Sequence, residues 1–188
     1  MTAVAKNFYT QEQYLALERA ASCKSEYING EIFAMAGASR AHNLISVNIA
    51  GALGGQLKGR ACEAYVADMR VKVSNTGLYT YPDIVVACGD IQLEDQHHDT
   101  LLNPMVIIEV LSPSTEQYDR GEKFAHYRRL PSLQEYVLVT QEHMRVEHYL
   151  RDGERWILTE WNGADAVLNL TTIDCRLSLR EIYDKVAL

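Results

Sequence analysis

Residues 103–130 read NPMVIIEVLSPSTEQYDRGEKFAHYRRL, and the reading of this stretch decides the fold. Residues 105–111 form an apolar run of strand length, broken only by Glu109. Such a run, bounded by turn residues, suits a strand covered on both faces. An unpaired carboxylate inside it would cost several kcal/mol, so Glu109 requires a cationic partner, a metal or a shifted pKa. Ser112-Pro113-Ser114-Thr115 has the chemistry of a helix start, and the helix that follows carries Arg120, Lys123, Arg128 and Arg129. Pro131-Ser132 ends it, and a second strand is expected over 135–140.

Working outward, the chain upstream alternates strands and helices. Asn29-Gly30 between apolar-rich flanks is a strong hairpin signal of type I′. Its register sets Ile28 opposite Glu31 and Glu26 opposite Phe33, with Glu26 and Glu31 on one face. Thr10 with Gln13 fits a capping box for a first helix ending near Ala21. Ser39 can cap a longer helix over 39–59, whose stripe includes Leu44, Ile45, Ile49 and Leu53. Gly51, Gly54 and Gly55 in that helix suggest close packing against a sheet or an early end. Residues 62–74 read as one bent strand or two short ones, and 81–88 as the next strand, with Pro82 tolerated at its start. Residues 89–100 form a polar, acidic surface loop. Downstream, Asp152-Gly153 joins two strands, and Ser178 caps a closing helix. This order predicts a mixed α/β (α+β) domain around one sheet, a single unit over 1–188 with its core at about 39–140.

Composition limits the function classes. With 188 residues and 47% hydrophobic content, the chain can bury a real core. Its longest apolar runs are of strand length, far short of a membrane span of about 20 residues. The N-terminus has no apolar core followed by a cleavage site, so a cytoplasmic protein is expected. Cys23, Cys62, Cys88 and Cys175 are scattered without metal-ligand spacing and read as reduced thiols. A net charge of −7 opposes broad coating of nucleic acid but leaves room for a local basic groove.

Two acids in apolar settings carry the chemistry. Asp83 opens one strand and Glu109 lies near the end of another, and on neighbouring strands they would converge at one sheet edge. Two oxygen ligands, with water completing an octahedron, suit Mg²⁺. Alone, Asp83 also reads as a strand-entry cap, and Glu109 as half of a buried ion pair with Lys123 or Arg120. Arg120, Lys123 and Tyr127 fall at i, i+3 and i+7, on one helix stripe. His42 reads as a surface or capping residue, Glu26 and Glu31 as solvated hairpin charges, and Asp68 as a partner of Arg70 or Arg120. His97-His98-Asp99 lies in a polar loop, and Trp156 and Trp161 read as packing residues.

Tyr81-Pro82-Asp83, the strand carrying Glu109 and the basic helix after it resemble the PD-(D/E)XK nuclease superfamily. More narrowly, EVLSPST, YDRGEKF and YRR, followed by LQEYVLV, resemble the restriction-endonuclease-like family that is abundant in cyanobacteria and was long filed as a domain of unknown function. The resemblance runs from the hairpin at 25–31 through Val139. It implies a restriction-endonuclease-like core, a central mixed sheet flanked by helices, with the N-terminal hairpin and a C-terminal antiparallel extension. It also implies an endonuclease cutting phosphodiester bonds in DNA, with Asp83, Glu109 and the backbone carbonyl of Val110 holding Mg²⁺ or Mn²⁺. The superfamily's lysine, two residues after the acid, is replaced here by Leu111, and Lys123 on the following helix is the candidate substitute. A homodimer suits cutting both strands of a duplex. The alternative is a nuclease-fold module that binds nucleic acid or protein without cutting.

Overall fold

The computed structural model describes residues 8–188. Residues 1–7, part of the segment expected to lack a leader, lie outside the described range. The expected elements appear in order, together with two short strands, Leu78–Thr80 and Thr100–Leu101, that were not expected. Helix α1 (Gln11–Ala20) precedes the hairpin of β1 (Ser25–Ile28) and β2 (Glu31–Ala34), and helix α2 (Arg40–Leu57) follows. Next come β3 (Cys62–Val66), β4 (Arg70–Val73), β5 (Leu78–Thr80), β6 (Ile84–Cys88), β7 (Thr100–Leu101) and β8 (Val106–Val110). A helical segment of α3 (Glu116–Tyr118), a π-helical turn (Asp119–Lys123) and α4 (Phe124–Tyr127) leads into β9 (Glu135–Val139). The chain closes with β10 (Arg145–Asp152), β11 (Arg155–Asn162), β12 (Val167–Leu170), β13 (Cys175–Ser178) and the short α5 (Leu179–Ile182).

The strands divide between sheets rather than forming one. A six-stranded mixed sheet has the order β11-β10-β9-β8-β6-β3, and a five-stranded sheet has the order β2-β1-β5-β4-β7. The division falls between β3 and β4, where Ala67 takes a left-handed φ of 46° and redirects the chain. The pattern at 62–74 is therefore two short strands in two different sheets. The turn at Asn29-Gly30 has positive φ at both residues, 51° and 87°, and the hairpin register is as expected. The β12–β13 hairpin was not legible, because its strands are four residues long and only Leu168, Leu170, Cys175 and Leu177 are buried.

β8 sits in the middle of the six-stranded sheet, parallel to β9 and antiparallel to β6. All five of its residues are buried, which explains its continuous apolar run. One face packs under α2 through Ile45, Ile49 and Leu53, and the other under the helical segment through Phe124 and Tyr127. Gly51, Gly54 and Gly55 do not pack closely; all three lie on the solvent side of α2, with open space around them. Cys62 stands directly opposite Cys88 in the β3–β6 register, and the two form a disulfide. The expectation of four reduced thiols therefore fails for this pair, because strand pairing, not sequence spacing, brings the sulfurs together. Cys23 and Cys175 are free. Among the described residues, no helix is long and apolar enough to cross a membrane.

Candidate functional site

Ile84, the first residue of β6, is paired with Ile108, so Glu109 and Val110 run past the start of β6. Asp83 stands just outside that end, and its side chain replaces the missing strand. Val110 N–H donates to Asp83 Oδ2 at 2.7 Å. In return, the Asp83 N–H donates to Glu109 Oε2 at 3.3 Å. Leu111 N–H bonds to Val139 on the β9 side, so the polar groups of Val110 face the Asp83 side. The two acids predicted to converge do so: Glu109 accepts from the backbone of Asp83, and Asp83 accepts from the backbone of Val110, the residue after Glu109.

Glu109 is 4% exposed. Its Oε1 is 2.9 Å from Lys123 Nζ and accepts a hydrogen bond from Tyr127 Oη at 2.9 Å. The ammonium is also 3.4 Å from Glu26 Oε1 and 3.4 Å from Asp119 Oδ1. Burial pushes the Glu109 carboxyl up to about 8, against the pull of Lys123 and with help from Asp119 and Asp83. Burial alone would lower Lys123, but the carboxylates around it outweigh that and hold it well above its ordinary value. Burial likewise raises Asp119.

Several sequence readings change at this point. Glu26 is not solvated: the hairpin folds it inward, where Thr80 donates to it and Lys123 pairs with it. Its face was readable from the hairpin register, but the contact of that face with the helical segment was not. Arg120 leaves the stripe it was expected to share with Lys123 and pairs with Glu147 and Glu116. The π-helical turn is the reason, since its wider winding breaks the 3.6-residue period between the two side chains. The buried ion pair is therefore Glu109–Lys123, without Arg120. Asp68 pairs with Lys24 at 3.0 Å rather than with either arginine. Asp99 is held by Arg19 and Arg70, a structural role. His42 does more than lie at a helix start: its Nε2 is 3.1 Å from Asp83 Oδ2. Leu111 is buried in the core, so the usual lysine position is closed.

Among the described residues, no three His, Cys, Asp or Glu side chains form a ready metal cluster. Mg²⁺ needs fewer, because it binds through one or two carboxylates and keeps several waters. The Asp83 and Glu109 carboxylates with the Val110 carbonyl are all hard oxygen donors and fit that chemistry. A cleft of about 490 Å³, lined in part by Leu111, Arg120, Gln141 and Arg145, opens beside this end of the sheet.

Two curated relatives come from Synechocystis sp. (strain ATCC 27184 / PCC 6803 / Kazusa). The uncharacterized protein sll1609 is 38% identical over 172 residues, covering 91% of this chain and 97% of that one. The uncharacterized protein slr1290 is 36% identical over 178 residues, covering 94% and 92%. A solved structure from Anabaena variabilis ATCC 29413, described as "a putative nuclease belonging to DUF820", superposes with a TM-score of 0.78 at 20% identity, covering 95% of this chain and 99% of that one. That likeness establishes a shared fold, the mixed sheet flanked by helices expected from the sequence. The family model of Uma2, described as "Putative restriction endonuclease", matches residues 11–180, and the chain belongs to that family.

Proposed function

We propose that the protein is an endonuclease that hydrolyses phosphodiester bonds in DNA with the help of a divalent cation, Mg²⁺ or Mn²⁺. The observation that carries this reading is the convergence of Asp83 and Glu109 at one end of the central sheet, where Glu109 accepts from the Asp83 N–H and Asp83 from the Val110 N–H. Asp83, Glu109 and the Val110 carbonyl would hold the cation. A cation bound there would acidify a water and offset charge on the phosphate oxygens. Both hydrogen bonds to the Asp83 carboxylate fall on Oδ2, which leaves Oδ1 for a ligand. Lys123 balances the charge of Glu109 and holds it in place through Nζ. Its Nζ is enclosed by three carboxylates within 3.4 Å, so its role in this reading is to position Glu109 rather than to reach the phosphate. Membership of the family and the shared fold support the reaction class.

The same enclosure of Lys123, with Leu111 at the usual lysine position, favours a second reading: a module of this fold that binds nucleic acid without cutting it. Titration calorimetry with Mn²⁺ and a plasmid-nicking assay separate the two. The first reading expects binding and nicking, both lost in Asp83→Ala and Glu109→Ala. Unchanged cation binding in both variants overturns the ligand assignment, and binding without nicking selects the second reading. A cytoplasmic homodimer, one folding unit per chain, belongs to the first reading because paired sites suit duplex cleavage.

A further inference from the structure

His42 is the polar group beside Asp83 that the proposed chemistry leaves unused. It lies in the first turn of α2, where its backbone N–H donates to the Ser39 cap, and its side chain is 16% exposed. Nε2 is 3.1 Å from Asp83 Oδ2. Ser46, one helical turn further on, places its Oγ 3.5 Å from the other ring nitrogen, Nδ1. A carboxylate oxygen only accepts, so Nε2 is the donor in this contact. In the neutral ring Nδ1 then carries a lone pair, and the Ser46 hydroxyl is in place to donate to it. The Oδ2 that His42 meets is the same oxygen that accepts the Val110 N–H at 2.7 Å. One oxygen of Asp83 is thus gripped by two donors from different elements, α2 and β8.

We propose that His42 is a positioning residue for the divalent-cation site. Its Nε2–H fixes the rotation of the Asp83 carboxylate so that Oδ1 is presented to the cation, and Ser46 sets the ring tautomer. This rests on the reading of Asp83 as a cation ligand. It also excludes His42 as a direct ligand through Nε2, because that nitrogen's lone pair is replaced by a proton in this arrangement. Groups that orient a ligand in this way typically change cation affinity by about 10- to 100-fold.

The test is Mn²⁺ titration calorimetry on the wild type, His42→Ala, His42→Gln, Ser46→Ala and Asp83→Ala, each checked by thermal melting. The expected result is an affinity at least about tenfold weaker in His42→Ala, and a smaller loss in Ser46→Ala. His42→Gln, whose amide N–H still donates, should recover most of the affinity. His42→Leu replaces His42→Ala if the alanine variant does not fold. Spin-echo modulation of bound Mn²⁺ should show no directly coordinated nitrogen. Unchanged affinity in His42→Ala alongside lost affinity in Asp83→Ala overturns the positioning role alone. A coordinated-nitrogen signal also overturns it, by making His42 a ligand. Unchanged affinity in Asp83→Ala overturns the ligand reading and this proposal together.

Discussion

Lys123 is one cation among three buried or nearly buried carboxylates, Glu109, Glu26 and Asp119. Removing one partner of a buried pair costs about 3–5 kcal/mol, because the remaining charge is left without compensation. Lys123→Met is therefore expected to lose stability of that order in urea unfolding. The loss should also depend on pH. The Glu109 carboxyl, with an ordinary value of 4.5, already stands at about 8 with Lys123 beside it. Without the lysine its folded pKa rises further above the unfolded one. A carboxyl raised on folding binds its proton more tightly in the folded state, so stability falls as pH climbs from the unfolded value towards the folded one. The deficit of Lys123→Met should thus be larger at pH 9 than at pH 6, and a deficit independent of pH would contradict the pairing. Glu109 itself was legible in the sequence, because an acid in an apolar strand announces a partner. Glu26 was not, since a hairpin register says which face a side chain takes and nothing about what that face meets.

At the level of elements, the two devices that build the site differ in how openly the sequence displays them. The Asn29-Gly30 turn was readable, because only residues tolerant of positive φ fill both places of a type I′ turn. The hairpin it closes delivers Glu26 to Lys123. At Gly30 φ is +87°, and an added Cβ would come within 2.7 Å of Phe8 Cδ1. Gly30→Ala should lower the thermal midpoint, with a cost of about 1 kcal/mol or more from the left-handed backbone alone. Phe8 is 69% exposed and can swing away, so the backbone term dominates. The π-helical turn at Asp119–Lys123 left no such trace. No residue type marks a π-helical turn as Gly marks a left-handed one, so the helical period was carried straight through it and put Arg120 on the wrong side. The cross-strand Cys62–Cys88 pair was hidden for a similar reason, since only the β3–β6 register brings residues 26 apart face to face. Thiol counting on denatured, unreduced protein should find two reactive cysteines, rising to four after reduction. Four before reduction would restore the original expectation.

For the molecule as a whole, the division into separate sheets was the least legible feature, because alternation in a short strand does not say which sheet the strand joins. Beside the buried cluster of Tyr14, Tyr27 and Tyr79, a chain of charges far apart in sequence ties the five-stranded sheet to α1. Arg19 on α1 meets Asp95 and Asp99 at 2.8 Å each, and Asp99 also meets Arg70 at 2.9 Å. Arg70, at the start of β4, is 2% exposed and also donates to Tyr81 Oη and Thr100 Oγ1. The Arg19 guanidinium, and behind it Arg70, hold the Asp99 carboxyl well below its ordinary value of 3.8. The folded pKa is depressed, so the contribution to stability is present above the unfolded value and is lost as pH falls through the folded one. Asp99 is 33% exposed, so solvent screening makes the effect smaller than the shift alone suggests. The buried Arg70 gives the loss its weight, because protonating Asp99 removes its closest carboxylate. Thermal melting from pH 6 down to pH 2 should show wild type losing stability below about pH 4. Asp99→Asn should start lower at pH 6 and fall less steeply over the same range, the two curves approaching each other at the acid end. Parallel curves would mean that the acid sensitivity resides in other carboxylates and that this network does not hold α1 to the sheet.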